Sequence, residues 1–222
     1  MNDFIKTLRL EFEANANSKI ASEQKTYLRD QFLFYGIKTP TRRAIQKPFL
    51  VTAHLPPKDN LEHLVRTLWG KPQREYHYFA QELVQKYVKQ FEEKDIVLLE
   101  FMITINSWWD TVDFIATKLV KAYFKKFPNQ RDQYVEKWLT SNNIWLQRSC
   151  LLLQLLEKGK TDIILLKHVI TTLLGSEEFF INKAIGWALR DYSRTNPEWV
   201  LKFAESTDLH ALSKREALKL MI

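Results

Sequence analysis

An all-α fold is what this 222-residue chain predicts, and three observations carry that expectation. Apolar residues recur with helical period, as in Val112, Ile115, Leu119 and Tyr123, or Ile181, Ile185 and Leu189. Alternating runs of period two bounded by turn dipeptides are missing. The 5 glycines and 7 prolines sit mostly as punctuation between the periodic blocks.

The elements follow in chain order. Gly36, Gly159 and Gly175 read as residues just past helix C-termini. Pro40 and Pro197 read as first-turn prolines behind the N-caps Thr39 and Asn196. Asp59 with Glu62 forms a weak capping box, and Ser213-Lys214-Arg215-Glu216 a fuller one. The blocks also recur. Arg74, Asp110, Leu146 and Asn182 each lie near a helix start, at steps of about 36 residues. Each of those helices follows another with an apolar stripe, such as 134–139 or 163–174. Helix pairs repeating at this period predict HEAT-like repeats stacked as a curved solenoid, one domain over 1–222, with one row of helices lining a concave face.

Bulk composition narrows the partner. With 33 Lys and Arg against 26 Asp and Glu, the net charge of +7 favours a polyanion, nucleic acid before membrane. The single cysteine, Cys150, excludes intramolecular disulfides and thiolate metal cages, and its run of leucine neighbours predicts a buried structural thiol. The first residues lack a signal-peptide core, and no segment approaches a membrane span, so a cytoplasmic protein is expected, and separately a monomer. Glycine-rich phosphate loops, HExxH, GxSxG and ligand-spaced histidines are all missing. No metal or other cofactor is expected.

The residues that bear chemistry cluster in Ser107-Trp108-Trp109-Asp110-Thr111-Val112-Asp113. Trp109 and Asp113 stand at i and i+4 and share a helix face. Ala116 and Val120 continue that row, opposite the core stripe through Val112. Arg148 and Trp187 fall on later helices that are also second members of their pairs, so the three helices are expected side by side. A carboxylate, two indoles and an arginine are the parts needed to grip and hydrolyse something cationic attached to a polyanion. The plainer reading makes Asp113 and Arg148 a structural ion pair joining two repeats. Trp69, Trp138, Trp145 and Trp199 are assigned to the core, and Trp108, in line with Val112, fits the same assignment. Lys183 and Arg190 flank Trp187 on its own helix. Thr39-Pro40-Thr41-Arg42-Arg43 and Ser213-Lys214-Arg215 look like basic helix starts on which a phosphate could dock.

Five blocks in order resemble the bacterial AlkD-type DNA glycosylases, HEAT-like repeat proteins that excise N3- and N7-alkylated purines. They are Phe32–Ile37 with the Thr39-Pro40 step, Ser107–Asp113, Asn143–Arg148, Phe179–Trp187 and Leu212–Ala217. The resemblance implies Asp113 as the catalytic carboxylate, with Trp109 and Trp187 forming an aromatic cleft beside it. It implies Arg148 as a backbone contact at the same site, with Tyr27 approaching the strand from the N-terminal end. Lys38 departs from the glutamine the family places there. Duplex DNA carrying alkylated purines is the implied partner, and base excision repair the implied role. The family works from the backbone side without flipping the base into a pocket, so bulky cationic adducts are expected to remain substrates.

That chemistry suits one acid. A purine alkylated at N3 or N7 is cationic and leaves neutral, so no general acid is required, and one carboxylate can support the oxocarbenium character of the sugar and place a water. Indole faces attract the same positive charge. Two other classes compete: a non-catalytic binder of distorted or branched DNA, and a scaffold whose concave face holds a protein.

Overall fold

The computed structural model describes residues 2–221, and its regular structure is helical. Among the described residues the only β-type pairing is one isolated bridge between Leu33 and Gln73. The chain forms two compact units, Met1–Glu92 and Glu93–Ile222.

The first unit opens with α1 (Asn2–Ala14), α2 (Ser18–Tyr27) and α3 (Thr39–Gln46), followed by the pair α4 (Leu61–Trp69) and α5 (Arg74–Gln85). Its core is apolar: Leu8, Phe12, Leu64, Leu68, Trp69, Phe79 and Leu83 are fully buried. The cap of α3 is Lys38, with Thr39 already in the first turn, because Lys38 keeps an extended backbone (ψ 149°) and Pro40 fits the second helical position. Thr39 is therefore not the N-cap that the sequence predicts. Asp59 likewise lies in a short 3-10 turn, and Asn60 precedes α4 with no side-chain cap bond. Gly36 does adopt a left-handed φ of 87°, but it follows no helix end. Its role is close approach: a Cβ there would stand 2.0 Å from the Asn17 carbonyl oxygen and 2.6 Å from the Ala21 nitrogen.

The second unit is a run of helix pairs. The first members are α6 (Asp95–Thr104), α9 (Arg131–Leu139), α11 (Ile163–Thr172) and α13 (Pro197–Ser206). Their partners are α7 (Trp109–Phe114), α10 (Ile144–Leu152), α12 (Phe179–Ser193) and α14 (Ala211–Leu218). Helices open at Arg74, Trp109, Ile144 and Phe179, a step of 35 residues each time, close to the period read from the sequence. Asparagine and aspartate caps set several starts. Asn143 accepts from Trp145 and Leu146, Asp162 from Leu165, and Asn196 from Trp199, each worth about 1 kcal/mol. The Asn196-Pro197 start is as expected.

Three local expectations fail here. Gly159 lies inside a 3-10 turn, and the left-handed positions of that loop are Leu156 (φ 67°) and Lys158 (φ 55°). Ser213 is no cap: α14 starts two residues earlier, its N-cap is His210, and the buried Ser213 hydroxyl donates to the Asn182 carbonyl at 2.9 Å. Ala116 and Val120 are buried, unlike Trp109 and Asp113, because α7 runs into a π-helical turn, Ile115–Val120, before α8 (Lys121–Lys126). The wider i→i+5 bonding shifts the register, so the row that begins at Trp109 turns into the core after Asp113. Trp69 and Trp138 are fully buried as expected, whereas Trp108, Trp145 and Trp199 are only half-buried.

Candidate active site

Asp113 lies on the last turn of α7, just before the π-helical stretch, and its side chain is 22% exposed. Thr111 and Val112, on the other side of the helix, are buried, so the core contact of α7 directs Asp113 to the opposite face. Arg148 reaches it from α10. Its Nε donates to one carboxylate oxygen at 2.7 Å and its Nη2 to the other at 2.8 Å, a two-pronged fork. The remaining guanidinium arm donates to the Phe180 carbonyl, the second residue of α12. One buried arginine thus joins three successive second-member helices. The Asn143 cap fixes where α10 begins and so where Arg148 falls.

The aromatic surroundings follow from the same three helices. The guanidinium carbon of Arg148 lies 5.4 Å from the centre of the Trp187 ring on α12 and 5.9 Å from that of Phe180. Trp108, Trp145 and Phe180 pack against one another with ring centres 5.1 to 5.6 Å apart. Trp109 stands one turn ahead of Asp113, half-buried on the same helix. Burial pushes the Asp113 carboxyl above the ordinary aspartate range, Arg148 pulls it back through hydrogen bonds and charge, and Asp110 adds a smaller upward push. The net direction is upward.

Trp187 has cationic neighbours on its own helix. The Lys183 ammonium lies 5.9 Å from the ring centre and 2.7 Å from one oxygen of Glu216, while Arg190 Nη1 lies 2.9 Å from the other oxygen. Glu216 comes from α14, and these cations hold its carboxyl below the usual glutamate range, the Lys183 hydrogen bond most of all. Sequence reasoning placed Glu216 in a capping box and missed this role. Lys214 and Arg215 are exposed on α14, past its first turn, so neither flanks a helix start as the sequence predicts.

The other expected contacts lie in the first unit. Tyr27 ends α2 and is 70% exposed; Lys38 and Thr39 are exposed at the start of α3. Arg43 is exposed too, 3.4 Å from Glu82. Arg42 faces the other way: it is buried, bonded to Gln46 and Glu82, and lies 4.7 Å from the Tyr78 ring centre. An inward-facing guanidinium with those partners does not present itself to a phosphate. The segment leading to Lys38 is held by Glu75, fully buried on α5, which accepts the backbone N–H groups of Tyr35, Gly36 and Ile37 at 3.0 to 3.2 Å. Its position in a helix first turn reads in sequence as an ordinary surface acid, so it too went unseen.

Asp113, Arg148 and Trp187 therefore meet through direct contacts, Lys183 joins at the Trp187 ring, and Arg190 through Glu216. Among the described residues no group of His, Cys, Asp and Glu is arranged to hold a metal ion. No helix of the described residues is long and apolar enough to cross a membrane.

Comparison with known proteins gives the family of the chain. A search of the curated proteins finds no match. A solved structure described as a "Predicted DNA alkylation repair enzyme from Enterococcus faecalis" superposes with a TM-score of 0.87 at 34% identity, covering 93% of this chain and 97% of that one. The model of the family described as DNA alkylation repair enzymes matches residues 8–221, across both compact units. The chain belongs to that family of DNA alkylation repair enzymes.

Proposed function

We propose that this repair enzyme is a monofunctional DNA glycosylase that hydrolyses the N-glycosidic bond of cationic N3- or N7-alkylated purines in duplex DNA. The observation that carries the reading is the Asp113 carboxylate: partly exposed, desolvated, and held in a fixed orientation by Arg148, whose guanidinium in turn lies against the Trp187 ring. When the C1′–N9 bond breaks, its electron pair neutralises the cationic purine, which departs without a proton donor. The sugar is left with oxocarbenium character, and a low-dielectric carboxylate beside it is worth far more than one in bulk water. Water then adds to C1′, and its proton passes to Asp113 or solvent. Trp109 and Trp187 would face the same developing charge. Arg148, expected from the sequence as a backbone contact, is instead 1% exposed with its guanidinium taken up by Asp113 and Phe180, so it would orient the carboxylate and keep it ionised, while Tyr27, Lys38, Thr39, Arg43, Lys183, Arg190, Lys214 and Arg215 would supply the backbone contacts. No cofactor is required.

A second reading has an observation of its own. Arg148 is almost completely buried and also bonds Phe180, which is how a purely structural ion pair would look. A family member that only binds DNA would keep that pair and do no chemistry. Single-turnover release of 7-methylguanine from a duplex, by the natural protein and by Asp113→Asn, separates the two. The amide keeps the shape and one acceptor, so we expect the variant to bind duplex while its release falls by at least about a hundredfold, the scale of a lost electrostatic stabiliser. Equal release by a folded Asp113→Asn protein would remove the carboxylate from the mechanism.

A further inference from the structure

Glu216 occupies a position that neither packing nor capping explains. Its side chain enters the notch left by Gly186, where a Cβ would stand 2.4 Å from the Glu216 Cβ and 2.9 Å from the Ser213 carbonyl oxygen. From that notch the two carboxylate oxygens diverge along α12, one to Lys183 and one to Arg190. Those residues precede Trp187 by four positions and follow it by three, so they lie on its face, one turn to either side. Both are partly exposed, at 27% and 25%, while the carboxylate between them is 9% exposed. A chain of contacts then runs from Glu216 through Lys183 to Trp187, from Trp187 to Arg148, and from Arg148 to Asp113.

We propose that Glu216 is a positioning residue that fixes Lys183 and Arg190 on either side of Trp187 and withholds part of their charge from the DNA backbone. Two effects follow, with opposite signs. Holding the cations still keeps Trp187 and its contact with Arg148 in register for base release. Neutralising one of their two charges weakens attachment to undamaged duplex, which lets the enzyme leave sites where there is nothing to excise. The argument rests on the glycosylase reading for the first effect and on DNA binding alone for the second.

Glu216→Gln tests both, since the amide fills the same notch without the charge. Affinity for an unmodified duplex is measured as a function of salt. We expect it to rise on the order of five- to tenfold at low salt, and the slope of log K against log salt to steepen by about one to two, as one or two more phosphates are engaged. Single-turnover release of 7-methylguanine at saturating enzyme should fall at the same time. In a Lys183→Gln, Arg190→Gln background the Glu216→Gln change should alter the affinity no further. Unchanged or weaker duplex binding by Glu216→Gln would overturn the proposal, and so would unchanged release at saturation. Binding that falls together with the melting temperature identifies a merely structural residue and also overturns it. Should the natural protein release no base, the glycosylase reading fails, and the charge-withholding half still stands or falls on the duplex affinities.

Discussion

Asp113 and Glu216 are carboxylates of opposite disposition within one network. Burial lifts the first above its ordinary range against the pull of Arg148, while Lys183 and Arg190 draw the second below it. On the proposed mechanism base release needs the ionised Asp113, so its rate should fall on the acid side with an inflection above the ordinary aspartate value of about 3.9. A pH profile of single-turnover release checks this, and an inflection at or below that value would contradict it. The stability linkage has the same logic. Asp113 binds its proton more tightly when folded, so its contribution declines as pH rises between its unfolded and folded values. Glu216 contributes above the ordinary glutamate value, and that contribution is lost as pH falls through its lowered one. Asp113, Arg148 and Trp187 were readable from the sequence because they are costly residue types in an otherwise apolar-periodic pattern. Glu216 and Glu75 were not, since their partners come from helices or loops some 26 to 40 positions away, and their local neighbours suggested ordinary helix starts.

Helix α12 shows how an element constrains the site. It carries Trp187 outward and Gly186 inward, and only a residue without a Cβ lets α14 approach so closely. Replacing Gly186 with alanine should destabilise the protein by about 1–3 kcal/mol, seen as a lowered melting temperature, because backbone and a side-chain stem must move together. Gly159→Ala meets nothing within 4 Å and should show no such loss. An equal effect at both positions would mean that the α12–α14 contact is not the cause. The helix pairs and their period were readable because apolar spacing and capping residues are local signals. The π-helical turn after Asp113 was not, because a single-residue register shift leaves the residue types of a helix unchanged. It is also what separates the Asp113 face from the buried Ala116 and Val120.

For the molecule taken whole, the surplus of 7 positive charges sets how it meets DNA, but not every base contributes. Log affinity for duplex should fall linearly with log salt, by about 0.9 for each phosphate neutralised. Arg43→Ala should reduce that slope by about one, because its side chain is 64% exposed. Arg42→Ala should leave the slope unchanged and lower stability instead, because its side chain is 6% exposed and bound to Glu82. Titrations at several salt concentrations check both, and a flat response in the natural protein would favour a protein scaffold. Charge surplus was readable from composition, whereas the inward turn of Arg42 depends on Glu82 and Tyr78, which only folding brings near. The lone thiol, Cys150, is buried against the Val135 carbonyl, and burial pushes its ionisation far upward. Maleimide dyes accordingly find no native target in the folded protein. One cysteine introduced on the exposed face of α14 would carry a fluorophore at a single known address, and its signal on adding duplex would test the proposed contact of that helix with DNA in real time.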